Sequence, residues 1–155
     1  MRSLTVLALA GVLAGALAVG CAKKESPEVL IRKALDDGAA ALEARDSDKA
    51  AQVLSDSYKD DRKRTKKQLK QLAFFALQQG PLLVSMQNVD IKVDGDQAHA
   101  TLKVLAVQGS AELKTAKDLL PQNARAFDLD VALAKQDGAW KVTARNGLSG
   151  ASFLE

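Results

Sequence analysis

Apolar residues between positions 27 and 58 recur at intervals of three and four, which is the spacing of one face of an α-helix. Ser26-Pro27 is typical of a helix start, with serine as the N-cap and proline at the first helical position. Asp46-Ser47-Asp48 ends this first helix and caps a short second helix, which is predicted to carry Tyr58 on its apolar face. The two apolar faces consist of Ile31, Leu35, Ala39 and Leu42, and of Ala50, Val53, Leu54 and Tyr58.

A third helix is predicted to begin at Thr65, because Thr65 and Gln68 fit a capping box. Gly80-Pro81 ends this helix. Its apolar stripe consists of Leu69, Leu72, Ala73, Ala76 and Leu77, widened by Phe74 and Phe75.

After residue 81 the pattern changes to strict alternation, which is typical of strands with one buried face. Asp94-Gly95 and Asp137-Gly138 mark two hairpin turns between alternating segments. Residues 109–123 fit neither pattern, although 114–120 is compatible with a helical turn inside a long loop. Three helices followed by about four strands indicate an α+β domain with helices packed on an antiparallel sheet.

The N-terminus carries an uncharged run of 17 residues, positions 4–20, which is shorter than the roughly 20 residues of a membrane-spanning helix. Arg2 precedes the run, and Cys21, the only cysteine, follows Ala18-Val19-Gly20. These are the parts of a secretory signal, and together with the cysteine they resemble a bacterial lipoprotein signal peptide with its lipobox. The resemblance implies cleavage between Gly20 and Cys21 and lipid attachment at Cys21. An ordinary signal peptide with a chance cysteine and an uncleaved anchor are the alternatives.

The same resemblance predicts a location and a domain plan. Ala22 follows the cysteine, and in Gram-negative lipoproteins such a residue favours the outer membrane, whereas Asp favours retention at the inner membrane. We therefore expect a lipid anchor on the periplasmic face of the outer membrane. The predicted plan is a signal peptide (1–20), a lipidated polar tether (21–26), an α+β domain (27–147) and a flexible tail (148–155).

Charge and composition exclude several classes of site. The 22 Lys and Arg residues nearly balance the 19 Asp and Glu residues, and an exported lipoprotein rarely meets nucleic acid, so no nucleic-acid partner is expected. His99 is the only histidine, which excludes a multi-histidine metal site. A lipidated Cys21 leaves no thiol for a disulfide. We predict neither a metal nor a cofactor.

The mature chain resembles the nuclear transport factor 2-like superfamily over roughly residues 27 to 146, most closely its lumazine-binding-like lipoprotein domains of unknown function. The resemblance implies a cone, in which three helices fill the concave side of a curved antiparallel sheet. Members include isomerases, dehydratases, polyketide cyclases and binding modules, so the fold does not choose the function. The resemblance to this superfamily rests on the pattern Val29–Leu42, Leu54-x-x-x-Tyr58, Leu69–Leu77 and the hairpin Asp137-Gly138-Ala139-Trp140-Lys141-Val142.

Two sets of residues are candidates for function. The aromatic candidates for a pocket or the core are Tyr58, Phe75, Phe127 and Trp140. The candidates for a basic contact face are Arg62, Lys63, Arg64, Lys66, Lys67 and Lys70, whose alternative is a solvated helix end. Such a face suits anionic lipid headgroups or an acidic partner.

The remaining titratable side chains suggest no acid–base pair. His99, Asp128 and Asp130 are predicted on the solvent face of the sheet, away from Tyr58. We therefore expect a non-enzymatic envelope lipoprotein that binds a partner protein or a small apolar ligand. The alternative is a cone-fold enzyme of isomerase or hydrolase type, with Tyr58 and an unidentified carboxylate in the pocket. The sequence leaves the ligand, the partner and the oligomeric state open.

Overall fold

The helix starts are those that the sequence predicts. In the computed structural model, which describes residues 24–109 and 124–149, Ser26 Oγ accepts a hydrogen bond from the backbone N–H of Val29. Thr65 and Gln68 form the capping box. The described helices are α1 (Pro27–Glu43), α2 (Ser47–Ala51) and α3 (Lys66–Gln78). The signal peptide, Cys21 and residues 110–123 lie outside the described residues.

Five strands form one curved sheet in the order β1-β5-β4-β3-β2. They are β1 (Leu54–Asp60), β2 (Leu82–Asp94), β3 (Gln97–Gln108), β4 (Ala124–Gln136) and β5 (Ala139–Ser149). Neighbours from β2 to β5 are antiparallel, and β1 pairs with β5 in parallel. The architecture is thus the α+β class that the sequence predicts, a curved sheet with helices on one face.

Both predicted hairpin turns are present. Gly95 has φ +60° between β2 and β3. Asp137 and Gly138 have φ +50° and +80° between β4 and β5, the left-handed pair that a two-residue hairpin turn requires. The last strand continues to Ser149, two residues beyond the predicted end of the domain at residue 147.

The predicted second helix was too long, and this is the main correction to the sequence analysis. The helix ends at Ala51. Leu54–Asp60, which carries Tyr58, is strand β1, which the sequence analysis did not predict. The strand is irregular: from Leu54 to Lys59 β1 advances five residues while β5 advances two. Such a segment has no clean alternation, and its parallel pairing with β5 involves residues far away in sequence. Local periodicity therefore could not identify it.

The core lies between the helices and the inner face of the sheet. Tyr58, Ile31 and Leu133 are its largest fully buried side chains. Trp140, a candidate for the core or a pocket, is buried as well. The remaining buried members of the main cluster are Ala98, Ala100, Leu102, Val131 and Val142. Within residues 24–109 and 124–149, no helix has the length and apolar character needed to cross a bilayer.

Candidate functional site

An apolar cavity of about 280 Å³ lies between the helices and the inner face of the sheet. Its volume is close to the lower end of the range for small-molecule sites, about 300 Å³. All three helices contribute to its wall, as do strands β1 to β5. Representative apolar lining residues are Leu35, Leu42, Leu69, Met86, Leu102 and Val131.

Four polar side chains reach the wall of this cavity: Ser47, Tyr58, Lys70 and Arg145. Lys70 forms an ion pair with Asp48, so its charge is already matched. No carboxylate or imidazole belongs to the lining in the described part of the chain. The cavity wall therefore offers donors and a hydroxyl rather than a general base.

Tyr58 stands on β1 and is 2% exposed. Burial raises the pKa of its phenol to about 12, although the positive charge of Arg145 works in the opposite direction. Tyr58 consequently keeps its proton at neutral pH and is suited to donate a hydrogen bond rather than to accept a proton.

A buried ion cluster adjoins the cavity beside Tyr58. Asp60 Oδ2 accepts from Arg64 Nε at 2.8 Å and from Arg145 Nη2 at 3.3 Å. Asp60 Oδ1 accepts from the backbone N–H of Arg62 at 3.0 Å and of Arg64 at 2.8 Å. Burial opposes the ionised form, but these hydrogen bonds and the two guanidinium charges hold the pKa of Asp60 below its ordinary value.

The cluster leaves two guanidinium donors without protein acceptors. Arg145 Nε and Arg64 Nη2 are buried and have no partner among the described residues. Buried polar atoms in folded proteins are nearly always hydrogen-bonded. Asp130 Oδ1 on the outer face is a third such atom among the described residues, and of these three residues Arg145 is the one that lines the cavity.

The four predicted aromatic residues occupy different environments. Tyr58 lines the cavity and Trp140 is in the core, as expected. Phe127 is half-buried on β4, opposite Val104 of β3. Phe75 is 64% exposed, so its prediction as a pocket or core residue is wrong. The reason is helical geometry, because the inward stripe of α3 follows Leu69, Ala73 and Leu77 and turns its neighbours outward.

The predicted basic contact face is only partly exposed. Arg64 is buried in the ion cluster, so its prediction as a surface contact residue is wrong. Lys66 pairs with Asp56 at 2.8 Å, and Lys70 pairs with Asp48. The exposed members are Arg62, Lys63 and Lys67. Acidic neighbours on α2 and β1 thus reduce the positive charge that the sequence suggested.

The outer face of the sheet carries the other predicted titratable groups. His99 Nε2 lies 3.1 Å from Asp130 Oδ1, and Lys103 Nζ lies 3.7 Å from Asp128 Oδ1. These side chains are half-exposed and lie on the face opposite the cavity. No group of three metal-ligating side chains occurs in the ranges that the structure covers.

A second concave region, of about 360 Å³, lies between α1, α2 and the turn from β4 to β5. Its lining includes Lys33, Lys49 and Lys141. Although it is larger, its wall carries long cationic side chains, and Lys141 donates to the backbone carbonyl of Gln52. The apolar cavity beside Tyr58 is more typical of a ligand site, because such sites are lined mostly by apolar side chains with a few polar groups.

The sequence analysis missed the Asp60 cluster. Asp60 and Arg64 stand four residues apart, and this spacing was visible in the basic segment. Arg145 lies 85 residues from Asp60 and meets it only because β1 pairs with β5. Since β1 was predicted as part of a helix, the partnership had no signal in the sequence.

Comparison with known proteins identifies the fold. No protein-family model and no curated protein matches the chain. Among solved structures, a Mycobacterium tuberculosis protein of unknown function matches with a TM-score of 0.65 and 16% identity, covering 82% of this chain and 73% of that chain. A putative scytalone dehydratase from Novosphingobium aromaticivorans matches with a TM-score of 0.65 and 15% identity, covering 81% and 84%.

A nuclear transport factor 2-like protein of unknown function from Pseudomonas putida matches with a TM-score of 0.60 and 16% identity, covering 78% of this chain and 86% of that chain. Identities this low establish a shared fold and nothing more. The chain has the nuclear transport factor 2-like cone fold, and its neighbours include proteins with and without an enzyme name.

Proposed function

We propose that this protein is a lipid-anchored envelope protein that binds a small apolar ligand in its cone without transforming it. The observation that carries the proposal is the cavity beside Tyr58, whose described lining is mostly apolar and contains no carboxylate or imidazole. Burial of an apolar ligand there is favourable by about 25 cal/mol per Å² of surface removed from water. Of the two kinds of partner that the sequence left open, a small ligand suits a cavity of about 280 Å³ better than a protein segment.

The chemistry of the polar groups favours binding over catalysis. A general base works best with a pKa near the operating pH, and burial raises the pKa of Tyr58 to about 12. Asp60, the nearest carboxylate of the ion cluster, accepts four hydrogen bonds from Arg62, Arg64 and Arg145. It therefore has no free lone pair with which to accept a substrate proton.

Cys21 is the proposed site of the lipid anchor, and the outer membrane is the proposed location. Metabolic labelling with an alkyne fatty acid tests this assignment. We expect label on the wild-type protein and none on Cys21→Ser, which should accumulate as an uncleaved precursor. Equal labelling of the two proteins would contradict the anchor and leave the ligand proposal untouched.

Binding is tested with N-phenylnaphthylamine, a neutral probe whose fluorescence rises in apolar surroundings. The protein is the mature chain, residues 21–155, with Cys21→Ser so that no detergent is needed. The buried core residues of the described ranges lie between Ile31 and Val142, so this chain retains them. We expect saturable binding to this chain.

Ala73→Trp supplies the control for the location of the probe, since Ala73 lines the cavity on α3. The larger side chain should fill the cavity and abolish the signal. Thr101→Trp adds the same side chain on the exposed outer face and should leave binding intact. Absence of binding, or equal binding by Ala73→Trp, would refute the proposed ligand site.

The second candidate is a cone-fold enzyme of isomerase or hydrolase type. It is favoured by one observation, that the Tyr58 side chain and the cationic Arg145 reach the same cavity. Mass spectrometry of the small molecule recovered after incubation with the protein separates the candidates. A binding protein returns the ligand unchanged, whereas an enzyme returns a product whose formation depends on Tyr58.

A further inference from the structure

The cavity has one distinctive end, where Arg145 on β5 and Tyr58 on β1 meet the apolar wall. Arg145 pairs in register with Val131 of β4, which also lines the cavity. Arg145 and Val131 thus lie side by side on the inner face of the sheet. An arginine in such a place requires an explanation, because transferring a charge out of water is costly unless it is paired.

Asp60 balances only part of the positive charge of the two arginines. Two arginines share this one carboxylate, so the cluster carries one net positive charge. Both oxygens of Asp60 already accept two hydrogen bonds each, which uses the full acceptor capacity of a carboxylate. Asp60 therefore has no capacity left for the remaining guanidinium donors.

Of the two arginines, Arg145 lines the cavity, as does Tyr58. Arg145 Nε and Arg64 Nη2 have no acceptor in the described residues, but both atoms are fully buried and do not themselves face the cavity. The guanidinium group of Arg145 and the phenol of Tyr58, which keeps its proton at neutral pH, make this end of the cavity polar. One net positive charge at the end of an apolar cavity is complementary to a single anionic acceptor group.

We propose that the ligand is an amphipathic monocarboxylate, whose apolar body fills the cavity and whose carboxylate lies at Arg145 and Tyr58. This inference rests on the proposed function, since it assigns the chemical class of the ligand for the same cavity. Arginine recognises carboxylates through paired, charge-assisted hydrogen bonds, which are about twice as strong as neutral ones. The apolar lining residues Leu102, Met86 and Val104 match an aliphatic or aromatic body.

The test compares decanoate with decanol as competitors of bound N-phenylnaphthylamine at pH 7.5, below the micellar concentration of decanoate. The two molecules share one chain and differ in the head group alone. We expect decanoate to displace the probe from the wild-type mature chain at a concentration at least about tenfold lower than decanol, the gain from a hydrogen bond to a charged group.

Arg145→Met is the decisive variant. It leaves Asp60 and Arg64 as a balanced pair, so the cluster loses its excess charge, and the preference for decanoate should disappear while the probe still binds. Arg32→Met is the matched control, because Arg32 is an exposed arginine of α1 that pairs with Asp36 and does not line the cavity. It makes the same change in net charge and should retain the full preference.

The outcomes separate the two proposals. If the probe binds but the wild type does not prefer decanoate, the carboxylate inference is overturned and the apolar site stands. An unchanged preference in a folded Arg145→Met protein also overturns it. If the probe does not bind at all, the proposed function itself fails. The wild-type competition needs no variant, so the inference is decided even if Arg145→Met does not fold.

Discussion

The two faces of the sheet hold ionic groups of similar chemistry in opposite environments. On the inner side, the Asp60 side chain is fully buried, and its partners Arg64 and Arg145 are 13% and 12% exposed. On the outer side, His99 and Asp130 are 48% and 42% exposed. The inner groups are held by three elements of the fold, namely β1, the turn before α3, and β5. The outer pair joins two neighbouring strands.

This difference separates structural and functional roles. Exposed ion pairs contribute about 0–1 kcal/mol, since water and salt screen them and ordering the side chains costs entropy. Buried pairs are costly to break, because the group left behind has no water to replace its partner. A fold tolerates an incompletely paired arginine at a cavity wall only with compensation elsewhere. The outer pairs carry no part of the proposed function.

The largest expected effect comes from breaking the inner cluster. Asp60→Ala should lower the free energy of unfolding by about 3–5 kcal/mol, because it leaves two buried guanidinium groups without their shared carboxylate. Urea unfolding followed by circular dichroism measures this change. Asp130→Ala removes a carboxylate from the outer face and should cost less than about 1 kcal/mol. Similar losses for the two variants would remove the distinction between the faces.

The inner cluster should also govern stability in acid. The pKa of Asp60 is lowered in the folded protein, so its contribution is complete above the unfolded value of about 3.9. That contribution is lost as the pH falls through the folded value. Between pH 5 and 2, wild-type stability should therefore fall more steeply than that of Asp60→Asn. Parallel profiles would mean that Asp60 is not stabilised as an anion.

A second large effect is expected from Trp140, the buried aromatic residue of β5. Trp140→Ala should cost about 3–5 kcal/mol, the usual loss for a buried aromatic side chain. Phe75→Ala is the matched control, since Phe75 is 64% exposed and contacts Phe74 edge-to-face with ring centroids 5.8 Å apart. A melting temperature of Trp140→Ala within a degree or two of wild type would place Trp140 outside the energetic core.

Tyr58 should have a smaller effect on stability, and this effect should appear only at alkaline pH. The pKa of Tyr58 is raised to about 12, whereas a tyrosine in an unfolded chain titrates at about 10. The folded protein holds the proton more tightly, so stability is complete below pH 10 and falls as the pH rises toward 12. The loss should be on the order of 2 kcal/mol. Tyr58→Phe lacks this group, and the difference between the two pH profiles isolates it from lysine titration.

The sequence predicted those parts of the fold whose signals are local. Capping residues Ser26 and Thr65 located two helices. The turn sequences Asp94-Gly95 and Asp137-Gly138 located both hairpins. The prediction was wrong for Leu54–Asp60, where a parallel pairing to β5 overrides a helix-like spacing of apolar residues. The candidate site depended on that strand. Tyr58 was predicted as a pocket or core residue, but Arg145 became visible only when β1 was placed beside β5.

The smallest expected effect is the coupling between His99 and Asp130, and it offers the finest comparison of the two faces. A double-mutant cycle with His99→Gln and Asp130→Asn should give a coupling of about 0.2–1 kcal/mol at low salt. At about 1 M salt the Debye length falls to about 3 Å, so this coupling should vanish.

A parallel cycle with Asp60→Asn and Arg145→Met should give a larger coupling that salt hardly changes, because water and ions do not reach the buried pair. If salt removes both couplings equally, the inner cluster is as hydrated as the outer pair, and water can serve as the acceptor for Arg145 Nε.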